Sequence, residues 1–285
     1  MLKAEKLTKE WVANKLPKRP KDANKGTFGK VLVIAGSENY PGAAYLSCAA
    51  AYRVGGGLVS LVTDEVVKII VSKKLPEVTF LDYGEVFEKI RDFNVLLLGP
   101  GLGQSEQTTK FVEQLLEREL PPAVIDGDGL NILSKIDQWW KRLNANVILT
   151  PHPGEMARLT GKSLDQIQSD RVNVAQTFAK KWNQAVVLKG ANTIIASPGG
   201  EVGLSPFANP ALATAGTGDV LSGVIAGFLA QGLNNFDAAC VGVYIHGLTG
   251  EILKEKIGNA GSLASDLLSL LPKAILTLHN QIGGQ

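Results

Sequence analysis

The sequence predicts an α/β fold in which a mostly parallel sheet carries helices on both faces. Short apolar, β-branched runs recur along the chain, and continuous rather than alternating hydrophobicity is typical of strands buried on both faces. Segments with helical periodicity separate these runs, so strand and helix alternate as in sheets with crossover helices. The predicted strands are KVLVIAG (30–36), GLVSLVT (57–63), NVLLLGPG (94–101), AVIDGDG (123–129), NVILTPHPG (146–154) and AVVLKG (185–190).

The remaining elements follow from local patterns. Residues 1–29 predict an N-terminal helix and a basic lead-in. Residues 192–205, NTIIASPGGEVGLS, predict a hairpin with PGG at its tip. No fixed-period repeat or linker interrupts the sequence, so residues 1–285 are expected to form a single domain. The predicted helices span 43–54, 105–120, 163–182, 217–232, 235–256 and 261–279.

Composition argues against several classes of function. The formal net charge of +2 gives no sign of nucleic-acid or membrane binding. Cys48 and Cys240 lie in Ala/Val-rich stretches and are expected to be buried rather than bonded. Three histidines without spaced cysteine partners argue against a zinc site, and His246 is interpreted as structural. The charged N-terminus lacks the apolar core of a signal peptide, so a cytoplasmic protein is expected.

The segment TAGTGD, residues 214–219, carries the strongest functional signal. Small residues let backbone N–H groups approach a ligand, and the helix that follows adds the positive end of its dipole. Together these features would make an anion hole for a phosphate. Asp219 would lie in the first helical turn, where a carboxylate can take a proton from a hydroxyl that attacks phosphorus. The alternative is an acid that only caps the helix, worth about 1 kcal/mol.

Further polar, Gly-rich segments follow the predicted strands. Since the carboxyl ends of parallel strands meet at one edge of a sheet, these segments are expected to converge on a ligand site. No G-x-x-x-x-G-K-[ST] motif occurs, and no G-x-G-x-x-G follows the first strand, which disfavours a P-loop enzyme and a Rossmann dehydrogenase. The segments are GSENYPGAA (36–44), GPGLGQSE (99–106), DGDGLN (126–131), TPHPGE (150–155) and KGANT (189–193).

Five side chains in these segments are candidates for binding. His152 stands between two prolines that stiffen its backbone, and Lys189 could neutralise a phosphate as a point charge. Asp126 and Asp128 could hold Mg²⁺, directly or through water, or could equally cap the next helix. Glu155 could act in a helix cap or reach a hydrated Mg²⁺.

In order along the chain, the motifs resemble those of a known family. From about Lys25 to about Gly250 they are similar to the ADP- or ATP-dependent NAD(P)H-hydrate dehydratases, which have the ribokinase-like fold. TPHPGE and NPALATAGTGDVLSG (209–223) are the specific parts. One departure is Asn24, where the family often has a histidine before the Lys-Gly pair. The other motifs of the resemblance are KGTFGKVLVIAGS, PGAA, GPGLG, IDGDGLN and LKGANT.

This resemblance implies a ribokinase-like three-layer α/β/α sandwich and a metabolite-repair reaction. In that reaction, hydrated NADH or NADPH, called NAD(P)HX, is phosphorylated on its ring hydroxyl by ADP or ATP, and the phosphate is then eliminated. Hydroxide is a poor leaving group, so its conversion to a phosphate makes chemical sense. Magnesium is implied as a cofactor, held mainly through phosphates and water, with Glu155 as a candidate ligand.

The resemblance also implies roles for individual residues. Asp219 would be the catalytic base that faces the substrate hydroxyl, and Gly216, Thr217 and Gly218 would line the transferred phosphate. The implied nucleotide-binding residues are Lys189, Gly190, Ala191, Asn192, Thr193 and Gly218. The implied substrate-binding residues are Ala43, Gly103, His152 and Asp219.

The implied partners are small molecules, namely NADHX or NADPHX and an adenine nucleotide. Many family members carry a fused epimerase domain, for which 285 residues leave no room, so pairing with a separate NAD(P)HX epimerase is expected. A homo-oligomer, commonly a tetramer among family members, is also implied. Two alternatives stay open: a small-molecule kinase of the same fold, such as a hydroxyethylthiazole kinase, and a nucleotide-binding sensor without turnover.

Overall fold

The computed structural model describes residues 4–143 and 146–282, and the side chains of residues 4–143 and 146–279. Within these residues ten strands form one sheet. The strands are β1 (Glu5–Lys6), β2 (Lys30–Ile34), β3 (Leu58–Val62), β4 (Thr79–Phe80), β5 (Val95–Leu98), β6 (Ala123–Ile125), β7 (Val147–Leu149), β8 (Ala185–Leu188), β9 (Ile194–Ala196) and β10 (Val202–Leu204).

Twelve α-helices occur in the same described residues. No helix there is both long and apolar enough to cross a membrane. The helices are α1 (Lys9–Lys15), α2 (Pro41–Arg53), α3 (Glu65–Lys74), α4 (Tyr83–Lys89), α5 (Glu106–Leu116), α6 (Asp128–Leu133), α7 (Pro153–Thr160), α8 (Leu164–Ser169), α9 (Arg171–Trp182), α10 (Thr217–Ala230), α11 (Asn235–Ile257) and α12 (Ala264–Ile282).

The strand order across the sheet is β1-β10-β9-β8-β7-β6-β5-β2-β3-β4. Strand β9 runs antiparallel to both of its neighbours, and the other strand pairs are parallel. The chain moves from β2 towards β4 on one side and from β5 towards β8 on the other. The order therefore reverses between β2 and β5, and the loops after these two strands diverge to leave a crevice.

Alternation of side chains along the buried strands builds a hydrophobic core on each face of the sheet. Val31 and Val33 of β2 face one core, which also contains residues of α1–α3 and α10–α12. Leu32 and Ile34 of the same strand face the other core, which contains residues of α4–α9. Both faces are thus covered, so the predicted three layers are confirmed.

The predicted strands and the hairpin are present. The structure adds two short strands and divides one predicted helix in two. Strands β1 and β4 have two residues each, too short for a periodic pattern to reveal. The helix predicted over 163–182 is divided into α8 and α9 at Asp170, whose φ of −148° and ψ of 62° break the helix. The Asp170 side chain accepts a hydrogen bond from the Asn173 N–H and starts α9. The helix predicted over 105–120 ends at Leu116.

Close packing of α10 against α2 places the start of α10 at the carboxyl edge of the sheet. Gly223 and Gly227 form the contact, because a Cβ at either position would meet backbone atoms of α2. The facing surface of α2 is made of small buried residues, Ala50 and Ala51 among them. Cys48 and Cys240 are buried and unbonded, as predicted.

Candidate active site

The N-terminus of α10 presents backbone donors at the edge of the sheet. Gly216 precedes the helix with a φ of 90°, a conformation that side chains other than glycine rarely adopt. The Thr217 hydroxyl donates to the carbonyl oxygens of Leu212 and Thr214, at 2.8 and 2.9 Å, and so fixes the turn. Among the described residues, no acceptor pairs with the amide N–H groups of Gly218 and Asp219. These two donors remain free for an anion.

The Asp219 carboxylate has no hydrogen-bond partner among the described residues. Only its backbone carbonyl is engaged, by the hydroxyls of Ser47 and Ser222 at 3.3 and 3.1 Å. Burial raises the pKa of Asp219 to about 7, and the negative charge of Asp126 acts in the same direction. An unengaged carboxyl group with a pKa near neutrality is suited to accept a proton.

Lys189 directly follows β8 and brings a positive charge to this edge. Its Nζ lies 2.6 Å from Asp126 Oδ1 and 3.7 Å from Glu155 Oε2, and its side chain is 17% exposed. Burial alone would lower the pKa of Lys189, but the carboxylates of Asp126 and Glu155 raise it above the ordinary value. A Cβ at Gly218 would lie 3.5 Å from this Nζ, so the ammonium stands beside the free amides of α10.

Arg171 of α9 holds the loop that follows Lys189. Its guanidinium donates to the carbonyl oxygens of Leu188, Lys189 and Ala191, at 3.0, 3.2 and 2.6 Å. Gly190 has a φ of +142°, and a Cβ there would lie 2.9 Å from Arg171 Nη2. No described residue accepts a hydrogen bond from the amide N–H of Gly190 or Ala191. The carbonyls therefore face Arg171, and two further amides are left free.

A cavity of about 670 Å³, which we call the Lys189 cavity, opens over this loop and the start of α10. Its inner part is apolar, with Phe207, Leu221 and Val243 in the wall. Two buried polar atoms near it, Asn209 Nδ2 and His246 Nε2, lack a partner within the described part of the chain. The predicted residues that line the cavity are His152, Lys189, Gly190, Ala191, Thr193, Thr217 and Gly218.

Asn192 lies behind the loop rather than in the cavity wall. Its φ is 51°, and its Nδ2 donates to the Ser205 carbonyl oxygen at 3.1 Å. The Thr193 hydroxyl donates to the Gly190 carbonyl at 2.9 Å. These two contacts connect the loop to the start of the hairpin, so the side chain of Asn192 shapes the loop.

His152 and Glu155 form a reciprocal cap at the start of α7. The His152 Nδ1 accepts from the Gly154 amide at 3.0 Å, and Glu155 Oε2 accepts from the His152 amide at 2.7 Å. His152 Nε2 lies 3.3 Å from Glu155 Oε1. Burial, followed by the charges of Lys189 and Arg158, lowers the pKa of His152, so the imidazole is neutral near pH 7. Burial raises the pKa of Glu155 to about 7.

Asp126 and Asp128 have separate local roles. Asp126 pairs with Lys189, whereas Asp128 Oδ2 accepts from the Gly103 amide at 2.8 Å, and its Oδ1 accepts from Gln104 Nε2 at 2.8 Å. In the described ranges, 4–143 and 146–282, no three His, Cys, Asp or Glu side chains are grouped as a bound metal ion would require.

A second cavity, of about 530 Å³, lies where the loops after β2 and β5 diverge, and we call it the Gly103 cavity. Ser37 and Gly103 both line it, and the Ser37 hydroxyl donates to the Gly101 carbonyl at 2.9 Å. Ala43 is buried beside it and would contact a Cβ at Gly101. Asp128, which accepts the hydrogen bond of the Gly103 amide, also raises the pKa of Asp219 through its negative charge.

The structure thus divides the predicted site residues into two groups. Except for Asn192, the nucleotide-binding candidates line the Lys189 cavity together with His152, while Gly103 and Ala43 lie at the Gly103 cavity. Sequence patterns missed Arg171 and Asn209 and assigned His246 only to the core. Arg171 reaches the loop from about twenty residues away in sequence, and no local motif signals such a contact.

Comparison with solved structures first defines the class, an α/β protein of the ribokinase-like fold. A ribokinase-like superfamily protein from Enterococcus faecalis V583 superposes with a TM-score of 0.87 and 28% identity, covering 96% of each chain. The ADP/ATP-dependent NAD(P)H-hydrate dehydratase of Bacillus subtilis, co-crystallised with ATP and Mg²⁺, superposes with a TM-score of 0.86 and 34% identity. That comparison covers 95% of this chain and 97% of the other.

The family follows from the sequence comparison. The family model described as NAD(P)H-hydrate dehydratase matches residues 31–273, and the chain belongs to this family. The bifunctional NAD(P)H-hydrate repair enzyme of Moorella thermoacetica is 38% identical over 97% of this chain and 54% of its own length. The chain therefore spans about half the length of the curated relatives that it matches first.

Proposed function

We propose that the chain is a nucleotide-dependent NAD(P)H-hydrate dehydratase that restores NADH or NADPH from its hydrate. One observation carries the proposal: the unengaged Asp219 carboxylate stands beside free amides and the Lys189 ammonium at the N-terminus of α10. This is the arrangement that phosphoryl transfer to a hydroxyl needs, because acceptor activation and phosphate binding occur side by side. Family membership and the relatives named above support the same reaction.

The donor, ADP or ATP, would occupy the Lys189 cavity. Its phosphates would lie over the amides of Gly190, Ala191 and Gly218, where donors are free and the Lys189 charge is close. Its base would occupy the apolar inner part, near Phe207 and Val243. A volume of about 670 Å³ is sufficient for a nucleotide.

In the first step, the oxygen of the substrate ring hydroxyl would attack the terminal phosphorus of the nucleotide. Asp219 would accept the proton of that hydroxyl. The new bond joins the ring oxygen to phosphorus, and the bond between phosphorus and the bridging oxygen of the donor breaks. ADP would leave as AMP, or ATP as ADP. The amides of Gly218 and Asp219 would stabilise the charge on the transferred group, since they are fixed before the reaction begins.

In the second step, the ring carbon–oxygen bond would break, and inorganic phosphate would leave with the electron pair. The neighbouring ring carbon would lose a proton, and the ring double bond of NAD(P)H would form. The chain's contribution is to keep the substrate oriented and water out. The N-terminus of α10 and the Lys189 ammonium would stabilise the departing phosphate.

Magnesium would reach this site as a complex with the phosphates of the nucleotide. When bound, it would supply charge neutralisation for the transferred group. Glu155 and Asp126 would be the carboxylates that contact its water ligands, and both lie near the Lys189 ammonium, at 3.7 and 2.6 Å. The relative from Bacillus subtilis was co-crystallised with ATP and Mg²⁺, which supports this assignment.

We further propose that the chain is a single domain, that it works as a homo-oligomer in the cytoplasm, and that a separate epimerase serves it. The described residues form one sheet with two covered faces, which supports a single domain. The Moorella relative is named as a bifunctional NAD(P)H-hydrate repair enzyme, which supports a functional pairing of this activity with a second one.

The test is incubation of the purified chain with NADHX, Mg²⁺ and either ADP or ATP. Absorbance near 340 nm should return as free phosphate accumulates. The Asp219→Asn variant should lower kcat by about 10²–10⁴-fold, the usual contribution of a general base, while it still binds nucleotide. Asp165→Asn, an exposed acid on α8, is the matched control and should keep full activity.

Three outcomes would contradict the proposal. A phosphorylated product that persists without phosphate release would identify a small-molecule kinase. Nucleotide binding without any turnover of NADHX or NADPHX would identify a sensor. Near-normal kcat in Asp219→Asn would remove this carboxylate from the mechanism.

A further inference from the structure

Arg171, which takes no part in the reaction steps above, carries a charge that no described carboxylate offsets. Among the described residues no ion pair includes Arg171, and its Nε is buried without a hydrogen-bond partner. A guanidinium stays ionised at any ordinary pH. The Lys189 ammonium, by contrast, lies 2.6 Å from Asp126 Oδ1 and 3.7 Å from Glu155 Oε2, so part of its charge is already compensated. Arg171 therefore brings an unpaired positive charge to this edge of the sheet.

The hydrogen bonds of this guanidinium end on the loop that follows β8. The acceptors are the carbonyl oxygens of Leu188, Lys189 and Ala191, at 3.0, 3.2 and 2.6 Å. Two of these three peptide units are also held at their N–H ends. The Lys189 N–H donates to the Pro151 carbonyl oxygen at 2.9 Å, and the Asn192 N–H donates to the Phe207 carbonyl oxygen at 2.9 Å. The guanidinium therefore completes a loop whose other peptide groups are already paired.

The third peptide unit, between Lys189 and Gly190, has the guanidinium at one end and a free donor at the other. Its carbonyl oxygen accepts from Arg171 Nη2, and no described residue accepts from its N–H, which belongs to Gly190. The next unit is similar, because the Gly190 carbonyl accepts from the Thr193 hydroxyl at 2.9 Å and the Ala191 N–H is free. Gly190 and Ala191 both line the Lys189 cavity, and successive free amides form an anion-binding concavity.

Gly190 allows two orientations of the peptide that precedes it. Its φ is +142°, and glycine adopts positive and negative φ about equally well, so this peptide could turn over. The turned peptide would present a carbonyl oxygen to the cavity, and that oxygen would repel a phosphate. A Cβ at Gly190 would lie 2.9 Å from Arg171 Nη2, so the guanidinium stands directly behind the loop and attracts the carbonyl to its own side.

We infer that Arg171 is a positioning residue for the nucleotide phosphates. It turns the Gly190 amide, and with it the Ala191 amide, towards the Lys189 cavity, and it adds its unpaired charge behind them. Arg171 is not among the described residues that line this cavity, so it acts through the loop rather than by touching the nucleotide. A cation at the carbonyl end of a peptide strengthens the hydrogen bond that the amide end donates. This inference rests on the proposed nucleotide site.

The experiment measures the Kd of ADP with Mg²⁺ and the Kd of adenosine, together with kcat and KM for NADHX turnover, in wild type and in Arg171→Gln. The variant should raise the Kd and the KM of ADP by about tenfold or more, the usual effect of losing a hydrogen bond to a charged group. Adenosine has no phosphate and should bind as in wild type, and kcat at saturating ADP should be unchanged. Arg171→Lys should recover little of the loss, because a compact ammonium lacks the planar fork that reaches three carbonyl oxygens.

Lys180→Gln is the matched control, because Lys180 is an exposed cation near the other end of the same helix, α9. It removes the same charge and should leave both affinities unchanged. An equal loss of ADP and adenosine affinity in Arg171→Gln would show that the arginine only maintains the fold. Unchanged ADP affinity would show that the loop presents its amides without the guanidinium. Either result would overturn this inference.

The same measurements separate this inference from the dehydratase proposal. Wild type that binds ADP but turns over neither NADHX nor NADPHX would overturn the dehydratase proposal, and the two affinities would still decide the role of Arg171. Normal turnover by wild type with no change in the KM of ADP in Arg171→Gln would overturn this inference and leave the dehydratase proposal intact.

Discussion

At the scale of single residues, the chemistry depends on how the charges around Asp219 are balanced. Burial raises its pKa, and the carboxylates of Asp126 and Asp128 raise it further, whereas Lys189 lowers it. Lys189 is itself held by Asp126 at 2.6 Å, so part of its charge is already compensated. The result is a carboxyl group that is ionised only near and above neutral pH.

This balance predicts the pH dependence of the reaction. A carboxyl group with a raised pKa is protonated, and inactive as a base, below that pKa. We therefore expect kcat/KM to fall by about tenfold per pH unit below about pH 7, and to be constant above it until another group titrates. A pH profile of kcat/KM for NADHX measures this directly.

The Asp128→Asn variant tests whether Asp219 is the group whose protonation lowers kcat/KM at acid pH. It removes a like charge that raises the pKa of Asp219, so the acid limb should move to lower pH. The amide side chain can still accept the Gly103 hydrogen bond. Asp165→Asn should leave the limb in place. A limb that does not move in Asp128→Asn and disappears only in Glu155→Gln would assign it to Glu155.

Residue chemistry also shows what sequence patterns can and cannot reveal. The sequence predicts Asp219 as an acid in the first turn of a helix, beside small residues that leave room for a phosphate, and in the structure its carboxylate makes no hydrogen bond to a described residue. His152 was predicted to be aimed by its two prolines, and it caps α7 through Nδ1. Arg171 was missed, because its role depends on a contact with a loop that is distant in sequence.

At the scale of elements, glycines determine where α10 begins. Gly223 and Gly227 have no side chain, so α10 can approach the backbone of α2 closely. This contact fixes the helix at the sheet edge. The strands and helices could be predicted because each lies in a run of five or more residues with a clear hydrophobic pattern. By contrast, the break at Asp170 comes from one side chain that caps the following helix, which periodicity does not report.

Gly223→Ala tests this packing. The added methyl would meet the Ser47 carbonyl oxygen and Ala50, neither of which can move without shifting α2. We expect the free energy of unfolding to fall by about 1–3 kcal/mol, measured by chemical denaturation. Gly84→Ala, in α4 with no atom within 4 Å, should instead be neutral or stabilising. Equal stability of the two variants would show that α10 and α2 can separate without cost.

At the scale of the whole molecule, the Lys189 cavity is lined by residues from both faces of the sheet. Lys189 approaches it from the end of β8 in the central sheet and His152 from the start of α7 on one face, while Thr217, Leu221 and His246 belong to α10 and α11 on the other face. A ligand in this cavity contacts both layers at once. Its binding energy should therefore add to the stability of the entire fold rather than to one loop.

Gly218→Ala separates this stabilisation from the stability of the protein alone. A Cβ at Gly218 would meet only Lys189 Nζ, at 3.5 Å, so the free variant should be as stable as wild type. The methyl would nonetheless occupy the space between the ammonium and the free amides, where the phosphates are proposed to bind. In wild type, ADP with Mg²⁺ at about 100 times its Kd should raise Tm by about 5 °C, and Gly218→Ala should lose most of this rise. Gly42→Ala, a glycine in the first turn of α2 with no atom within 4 Å, should keep it. A full nucleotide-induced rise in Gly218→Ala would place the phosphates elsewhere.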